Sequence, residues 1–572
     1  MRSAEGANQT LRPWRPRDLL FCLGVSLWCA AFNLTKAVHI DDTVSLEIAQ
    51  GIANDPLHPL SHLIFWDQQT PRPAGELNQP HLFFALLAPL ARSEHVELWS
   101  HVLVALLGTA LVLLFHRLCL RVSAPSPRTL TLLLFCGPGF LPGQNVMNEV
   151  PLLLAWVACL WFALPCAGNE AEGERRWWLA ALCAGVACLI KYSALVLVPW
   201  LALELVLQKK VRALRVLLVP VLLLTAWSLF NLLDGGRPHL FGRRLELLSR
   251  PASGAVADLL DRCLFLWPIS FGACAPIVLA LLPGWLQDPS MRRRTAWALA
   301  FGAGFPLGHA AVALAAPSLL GLQAPEVAVA RGLFLAFGAA ALVATVRRPA
   351  SPLEGALSRH LWLTSAFLLA VAPFIAVRHS LLILPGWLLL AAGPRALLPV
   401  FRPRLMAAGT ALTVALGALV AIADWRAADL YRTQATELAQ LLHGRDPEAR
   451  LWFTGHWGWQ WYARKAGLSA YLPGQSAAAP GDFLVEPSLV HRQEVGPAER
   501  ARLQPIDTVE LEPGPLDWLR TVGEDGGYYN ASAVAPFGPR AHPRERFVLS
   551  RFGPVAAQPK AGMPRAERGG KP

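Results

Sequence analysis

The sequence predicts an all-α polytopic membrane protein with a small C-terminal α/β domain. Of its 572 residues, 54% are hydrophobic and only 16% are charged, and the mean hydropathy is +0.39. The chain has more apolar surface than a soluble core can bury, and it arrives in blocks near the length that crosses a bilayer. The arginines behind the net charge of +12 lie in short segments between these blocks, so no nucleic-acid partner is predicted.

The apolar blocks predict about thirteen transmembrane helices. They lie at 19–38, 97–117, 128–142, 149–166, 177–191, 193–208, 214–233, 263–285, 295–316, 326–346, 361–377, 380–394 and 405–423. Basic residues mark every second connecting loop, which places residues 1–18 in the cytoplasm and the loop at 39–96 outside. The outer segment 237–250 is the exception, because it carries four arginines.

The composition changes after residue 423. Residues 424–555 carry more charge, and alternating apolar residues predict strands near 449–453, 483–485, 507–511 and 546–549, with a short helix at 457–466. We expect a small extracytoplasmic α/β domain here. Residues 556–572 are rich in Pro, Gly and Lys, which predicts a disordered tail.

Two adjacent acids, Asp41 and Asp42, directly follow the first apolar block. Their position at the membrane surface, within a long polar loop, predicts part of a site. The alternative is that they cap the next helix, because acids favour a helix N-terminus.

A lysine interrupts the apolar stretch from 177 to 207. A single helix of that length would be about 45 Å long, against a bilayer core of about 30 Å. Two short helices meeting at Lys191 are therefore predicted, with the ammonium group near the outer surface or paired with an acid or a phosphate. Snorkelling at a helix end is the alternative.

The order of these motifs resembles that of the GT-C membrane glycosyltransferases, in particular the protein O-mannosyltransferase and aminoarabinose transferase group. The resemblance runs through Asp41-Asp42, Gln79-Pro80-His81, Asn148-Glu149, the glycine-to-lysine stretch that ends at Lys191, and the segment that begins with Arg378-His379. The chain departs from the group where Asp42 replaces a glutamate, Ser45 replaces a tyrosine, and Gln79-Pro80-His81 replaces Lys-Pro-Pro.

The resemblance implies a glycosyltransferase that moves a sugar from a polyprenyl-phosphate-linked donor to a lipid or glycan acceptor. Such a transfer needs a base for the acceptor hydroxyl and cations for the departing phosphate. We expect Asp41 to be the base, and Asp42 to orient the acceptor or hold a divalent metal.

The remaining motif residues are predicted to bind the donor phosphate or the substrate. They are Lys191, Arg378, His379, Glu149, Gln79 and His81. The expected location is the outer face of a bacterial inner membrane. A carrier or flippase of lipid-linked sugars, or a catalytically inactive relative without the usual lysine, are the alternatives.

Overall fold

The computed structural model describes residues 14–66, 69–77, 79–165, 173–236, 292–300, 325–346, 349–372, 375–391, 403–522, 527–529 and 544–554, with isolated positions between 240 and 315 and at 537. Predictions for the segment 237–250, most of 263–285 and the tail 556–572 lie outside the described residues.

Most of the described helices up to residue 445 overlap the predicted apolar blocks, and two short ones lie in the predicted loop at 39–96. Their bounds are α1 Pro16–Asn33, α2 Asp42–Asn54, α3 Leu82–Leu87, α4 Val96–Arg121, α5 Pro127–Phe135, α6 Glu149–Ala163, α7 Arg175–Ile190, α8 Leu197–Leu207, α9 Leu218–Gly235, α10 Pro325–Thr345, α11 Pro352–Val371, α12 Leu384–Ala391 and α13 Pro403–Arg445.

Within the described part of the chain, three helical segments are long and apolar enough to cross a membrane: Val96–Arg121, Val211–Gly235 and Arg404–Arg445. The first of these is α4, the second joins a 3₁₀ segment to α9, and the third is most of α13. The protein is mostly helical and carries apolar helices long enough to cross a membrane, as predicted, while the total of about thirteen spans stays a prediction.

The block at 128–142 does not form one continuous helix. Helix α5 ends at Phe135 and a short 3₁₀ turn follows at Leu141–Gly143. The intervening Gly137-Pro138-Gly139 explains the break, because proline lacks the amide hydrogen that a continuing helix needs. The bend brings backbone close to α13, where a Cβ atom on Gly417 would collide with the Cys136 carbonyl.

The predicted break at Lys191 is present. Helix α7 ends at Ile190, and Lys191 has extended backbone angles, φ −155° and ψ 133°. A 3₁₀ segment, Tyr192–Val196, then leads into α8. The lysine therefore lies at a junction between two helices instead of inside one.

The chain divides into two compact units. The first contains residues 1–66, 71–431 and 513–542, and the second contains 67–70, 432–512 and 543–572. The predicted boundary at 424 stays a prediction. In the structure, α13 continues past it as one helix to Arg445.

The second unit is built around a five-stranded mixed sheet. Its strands are β3 Leu451–Phe453, β4 Ser469–Ala470, β5 Phe483–Pro487, β6 Leu503–Leu511 and β7 Glu545–Phe552, after a small hairpin of β1 Leu63–Ile64 and β2 Arg72–Pro73 in the first unit. The spatial order is β4-β3-β5-β7-β6. Strands β4, β3 and β5 are parallel, and β7 runs antiparallel to both β5 and β6.

Helix α14, Trp457–Lys465, packs on this sheet, and a single turn, α15, follows at Pro497–Arg500. The Trp459 ring contacts Phe453 and Phe547 at centroid distances of 6.3 and 5.1 Å, and its indole donates a hydrogen bond to the Thr454 carbonyl. Helix α14 and strands β3, β5, β6 and β7 overlap the elements that the sequence predicts, whereas β4 and α15 were not predicted.

Candidate active site

A tight corner places Asp41 at the start of α2. Ile40, directly before it, has φ of +46°, a left-handed conformation that is costly for a β-branched residue and persists only when packing enforces it. The Ile40 side chain is buried. The Ser45 hydroxyl donates to the Asp41 carbonyl at 3.0 Å, which helps to hold the first turn of the helix.

The Asp41 carboxylate does not cap this helix, although it occupies the cap position. It accepts a hydrogen bond from Arg378 instead, with Nη1 2.7 Å from Oδ2. The two residues are 337 positions apart in the chain. The capping alternative therefore does not describe where this side chain is directed.

Glu149 joins this pair to a second cation. The Lys191 ammonium donates to Glu149 Oε1 at 2.8 Å, and Arg378 Nη1 lies 3.7 Å from the same oxygen. Two acids and two cations thus alternate along one line: Asp41, Arg378, Glu149 and Lys191. Their side chains are between 8% and 18% exposed, so water screens these charges only weakly.

The four charged side chains line one cleft. Trp66, Leu77, Phe84 and Met147 complete its apolar wall, and Gln79 and Asn148 contribute polar groups. The free space inside is only about 20 Å³, room for about one water molecule. The two acids are paired with the two cations, so a larger ligand that binds the cations has to displace the acids.

Asp42 turns away from this cleft. Its side chain is fully buried, and Oδ2 accepts from the backbone amide of His39 at 3.0 Å. Burial raises the pKa of the Asp42 carboxyl well above its usual range, partly offset by Lys36. Burial disfavours the charged form of His39 as well, which lowers the pKa of this histidine.

The predicted motif residues divide into two groups. Gln79 lines the cleft and accepts from Asn148 Nδ2 at 2.6 Å, whereas His81 and His379 are not among its lining residues. The His81 ring contacts Phe84 at a centroid distance of 5.4 Å. His379 Nδ1 accepts from the Ala376 amide at 2.9 Å, which stabilises the 3₁₀ turn Val377–Leu382 that carries Arg378.

The arrangement of the two carboxylates does not fit the expected divalent metal. Asp41 and Asp42 direct their carboxylates to different partners, and no group of three or more His, Cys, Asp or Glu side chains gathers to hold an ion in the described parts of the chain. No role for a metal is therefore assigned to these two acids.

A buried polar cluster beneath the corner was not predicted. Asp424 of α13 pairs with Lys36 and accepts from the Tyr529 hydroxyl at 3.0 Å. Lys36 also donates to the Pro142 carbonyl at 2.9 Å, and the Tyr529 ring meets the His39 ring at a centroid distance of 5.4 Å. The cluster anchors the segment before Asp41 to α13 and explains why residues near 529 pack with the first unit.

The sequence signal for this cluster is partial. A lone acid inside an apolar helix, as at Asp424, indicates a buried partner. The sequence offers several lysines and arginines as that partner, so the pairing with Lys36 is visible only in the structure.

The chain matches no family model and no curated protein. Solved structures that are similar to it include the following two. ArnT from Cupriavidus metallidurans bound to undecaprenyl phosphate is 16% identical with a TM-score of 0.40, covering 82% of this chain and 92% of that one. The protein O-mannosyltransferase Pmt1-Pmt2 complex of S. cerevisiae, bound to the sugar donor, is 14% identical with a TM-score of 0.31, covering 41% of this chain.

Both structures are GT-C superfamily members, the group that the sequence resembles. The chain spans only 35% of the length of the O-mannosyltransferase chain. At these identities and TM-scores neither likeness carries an argument about function.

Proposed function

We propose that the protein is a glycosyltransferase that moves a sugar from a polyprenyl-phosphate-linked donor to an acceptor hydroxyl at the outer face of a bacterial inner membrane. The observation that carries the proposal is the alternation of two carboxylates and two cations along one cleft. The Asp41 carboxylate, which can accept a proton, pairs with Arg378, and Lys191 pairs with Glu149 in the same cleft. Both cations suit a phosphate.

In the proposed reaction, the acceptor oxygen forms a new bond to the anomeric carbon of the donor sugar. The bond between that carbon and the phosphate oxygen breaks, and its electron pair leaves with the polyprenyl phosphate. Asp41 takes the proton of the acceptor hydroxyl. Arg378 and Lys191 stabilise the negative charge that develops on the departing phosphate, and the planar guanidinium of Arg378 suits two phosphate oxygens at once.

The small free volume gives the donor a second role. An incoming phosphate competes with Asp41 and Glu149 for the two cations, because all three groups are anions. Binding of the donor then releases Asp41 from Arg378, so that its carboxylate can reach the acceptor hydroxyl and take its proton. The base is thereby available chiefly when a donor is present.

The test of the base is Asp41→Asn, which preserves size but removes the proton acceptor. We expect turnover of a polyprenyl-phosphate sugar to fall by about two orders of magnitude or more, with normal insertion into the membrane. Asp55→Asn is the matched control, because Asp55 is an exposed acid of the same outer loop that pairs with His58 at 3.1 Å. Its turnover should be that of the wild type.

Two results would contradict the proposal. Near-normal turnover in Asp41→Asn would leave this acid with a structural role. Transport of lipid-linked sugar across vesicles by the wild type, with no glycoside product from any donor of a panel, would instead favour the carrier.

The proposed orientation has its own test. A phosphatase reporter fused after Pro572, at the end of the chain, should be active, because this enzyme matures only outside the cytoplasm. The reporter fused before residue 14 should be inactive. Activity at the N-terminal fusion would place the cleft on the cytoplasmic side.

A further inference from the structure

A second cavity of about 370 Å³ lies in the same unit as the cleft, a volume in the range of small-ligand sites. It is formed between the end of α9 and the loop that contains the β1–β2 hairpin. Its polar lining consists of Ser61, Glu76, Asn231 and Asp234, with Gly75 and Gly235 contributing backbone. We name it the lateral cavity.

Asn231 is the feature that points to a ligand. Its side chain is 1% exposed, and neither its amide nitrogen nor its amide oxygen has a hydrogen-bond partner among the residues that the structure describes. A buried amide without partners destabilises the folded state, because its polar atoms lose their hydrogen bonds to water and gain none in return. Because Asn231 lines the lateral cavity, a bound molecule with both donors and acceptors would satisfy it.

Asp234, one helical turn after Asn231, differs in the environment of its two carboxylate oxygens. Asp234 Oδ2 accepts from the Leu60 amide at 2.7 Å, which fixes the carboxylate in place. Its Oδ1 atom is buried and has no hydrogen-bond partner within the described ranges. Together with Glu76, this carboxylate makes the lining acidic, which disfavours a phosphate and suits the hydroxyl donors of a sugar.

The lateral cavity adjoins the cleft through two short connections. Leu77 lines the cleft, and Glu76, the residue before it, lines the lateral cavity. On the other side, Trp227 lies one helical turn before Asn231 and donates to the Tyr192 hydroxyl at 3.0 Å. Tyr192 directly follows Lys191 of the cleft.

We infer that the lateral cavity binds the polyhydroxylated acceptor, holding sugar hydroxyls between Asn231 and Asp234 while the donor phosphate occupies the cleft. The identity of the bound sugar as the acceptor rests on the proposed function, but the binding of sugar hydroxyls in the lateral cavity does not. An amide and a carboxylate together offer the donors and acceptors that a pair of vicinal hydroxyls requires.

The test measures binding and turnover separately. A panel of methyl hexosides and pentosides is titrated into the full-length protein in detergent, and binding is followed by saturation-transfer difference NMR. We expect at least one glycoside to bind, and Asn231→Leu and Asp234→Asn each to weaken it by about tenfold or more. Asp234→Asn retains an oxygen that can accept from Leu60, so it should fold normally.

The matched control is Glu174→Gln, which neutralises an exposed acid paired with Arg215 at 2.7 Å. It should bind the glycosides as the wild type does. Asp41→Asn should also keep this binding while losing turnover. In steady-state assays, Asp234→Asn should raise the KM for the acceptor and leave the Kd for a polyprenyl phosphate unchanged.

Three results would overturn the inference: no binding by any glycoside, unchanged glycoside binding in both variants, or a change in donor Kd without a change in acceptor KM. The last result would assign the cavity to the donor sugar. If the wild type binds a glycoside but forms no glycoside product from any donor, that result would instead contradict the proposed function alone.

Discussion

Glu149→Gln should strengthen the binding of a polyprenyl phosphate, although it removes a charged residue of the cleft. The charges of Asp41, Glu149, Lys191 and Arg378 sum to zero in the structure. Neutralising Glu149 leaves a net charge of one positive unit and frees Lys191, whose ammonium group lies 2.8 Å from Glu149. Lys191→Met should have the opposite effect.

The geometry sets the magnitude. Two unit charges 2.8 Å apart attract each other by about 6 kcal/mol at an effective dielectric constant of about 20. Desolvation cancels most of this attraction, and a hydrogen bond to a charged group contributes about 1.5–3 kcal/mol net. Because the donor phosphate no longer competes with Glu149, the Kd should fall by about tenfold to 100-fold.

Affinity for farnesyl phosphate, measured by calorimetry in detergent, tests this expectation. The matched control is Glu204→Gln, which breaks another buried ion pair, with Arg359 Nε 2.6 Å from the carboxylate. Both variants should lose about 3–5 kcal/mol of unfolding free energy, but only Glu149→Gln should bind more tightly. Weaker binding in Glu149→Gln would mean that this acid does not compete with the donor, and it would refute the reasoning from charge balance.

Two further predictions concern the buried groups beneath the cleft. Asp424→Asn leaves Lys36 buried without its anion and should cost about 3–5 kcal/mol of unfolding free energy, while the double variant with Lys36→Met should recover part of that loss; additive losses in a double-mutant cycle would show that the pair is not coupled. Asp42→Asn should match the wild type in thermal stability at pH below the unfolded-state pKa of about 3.9, because Asp42 is then protonated in both states. The folded-state pKa of Asp42 is raised, so the folded state holds this proton more tightly than the unfolded state, and the stability that this contributes is lost as the pH rises through the folded-state pKa. With rising pH the wild type should therefore become the less stable of the two. A difference in stability that does not change with pH would show that Asp42 has no such shift.

Local patterns determined much of the fold. The apolar blocks predicted the helices because the length of a bilayer-spanning helix is a property of a short segment. The break at Lys191 was predictable for the same reason, since the charge interrupts an apolar stretch too long for one span. The strands of the second unit follow from alternating residues that are near neighbours in the chain.

Where the structure differs from the sequence-based prediction, one cause lies within the segment itself and another is a contact between residues that are distant in the chain. The block at 128–142 is mostly apolar after Arg128, so hydropathy alone predicted one span, and the Gly-Pro-Gly sequence within it decided otherwise. Tyr529 packs with the first unit by donating to Asp424, 105 positions away. No periodicity within 513–542 indicates that contact.

The candidate site was determined by the sequence only as a set of residue types. An acid at a helix start is compatible both with a cap and with a base, and the sequence leaves both open for Asp41. The tertiary structure directs that carboxylate to Arg378, and it directs the adjacent Asp42 into a buried position. The physical reason is that ion pairing depends on separations of a few ångströms between side chains hundreds of residues apart, and such separations are set by the packing of whole helices.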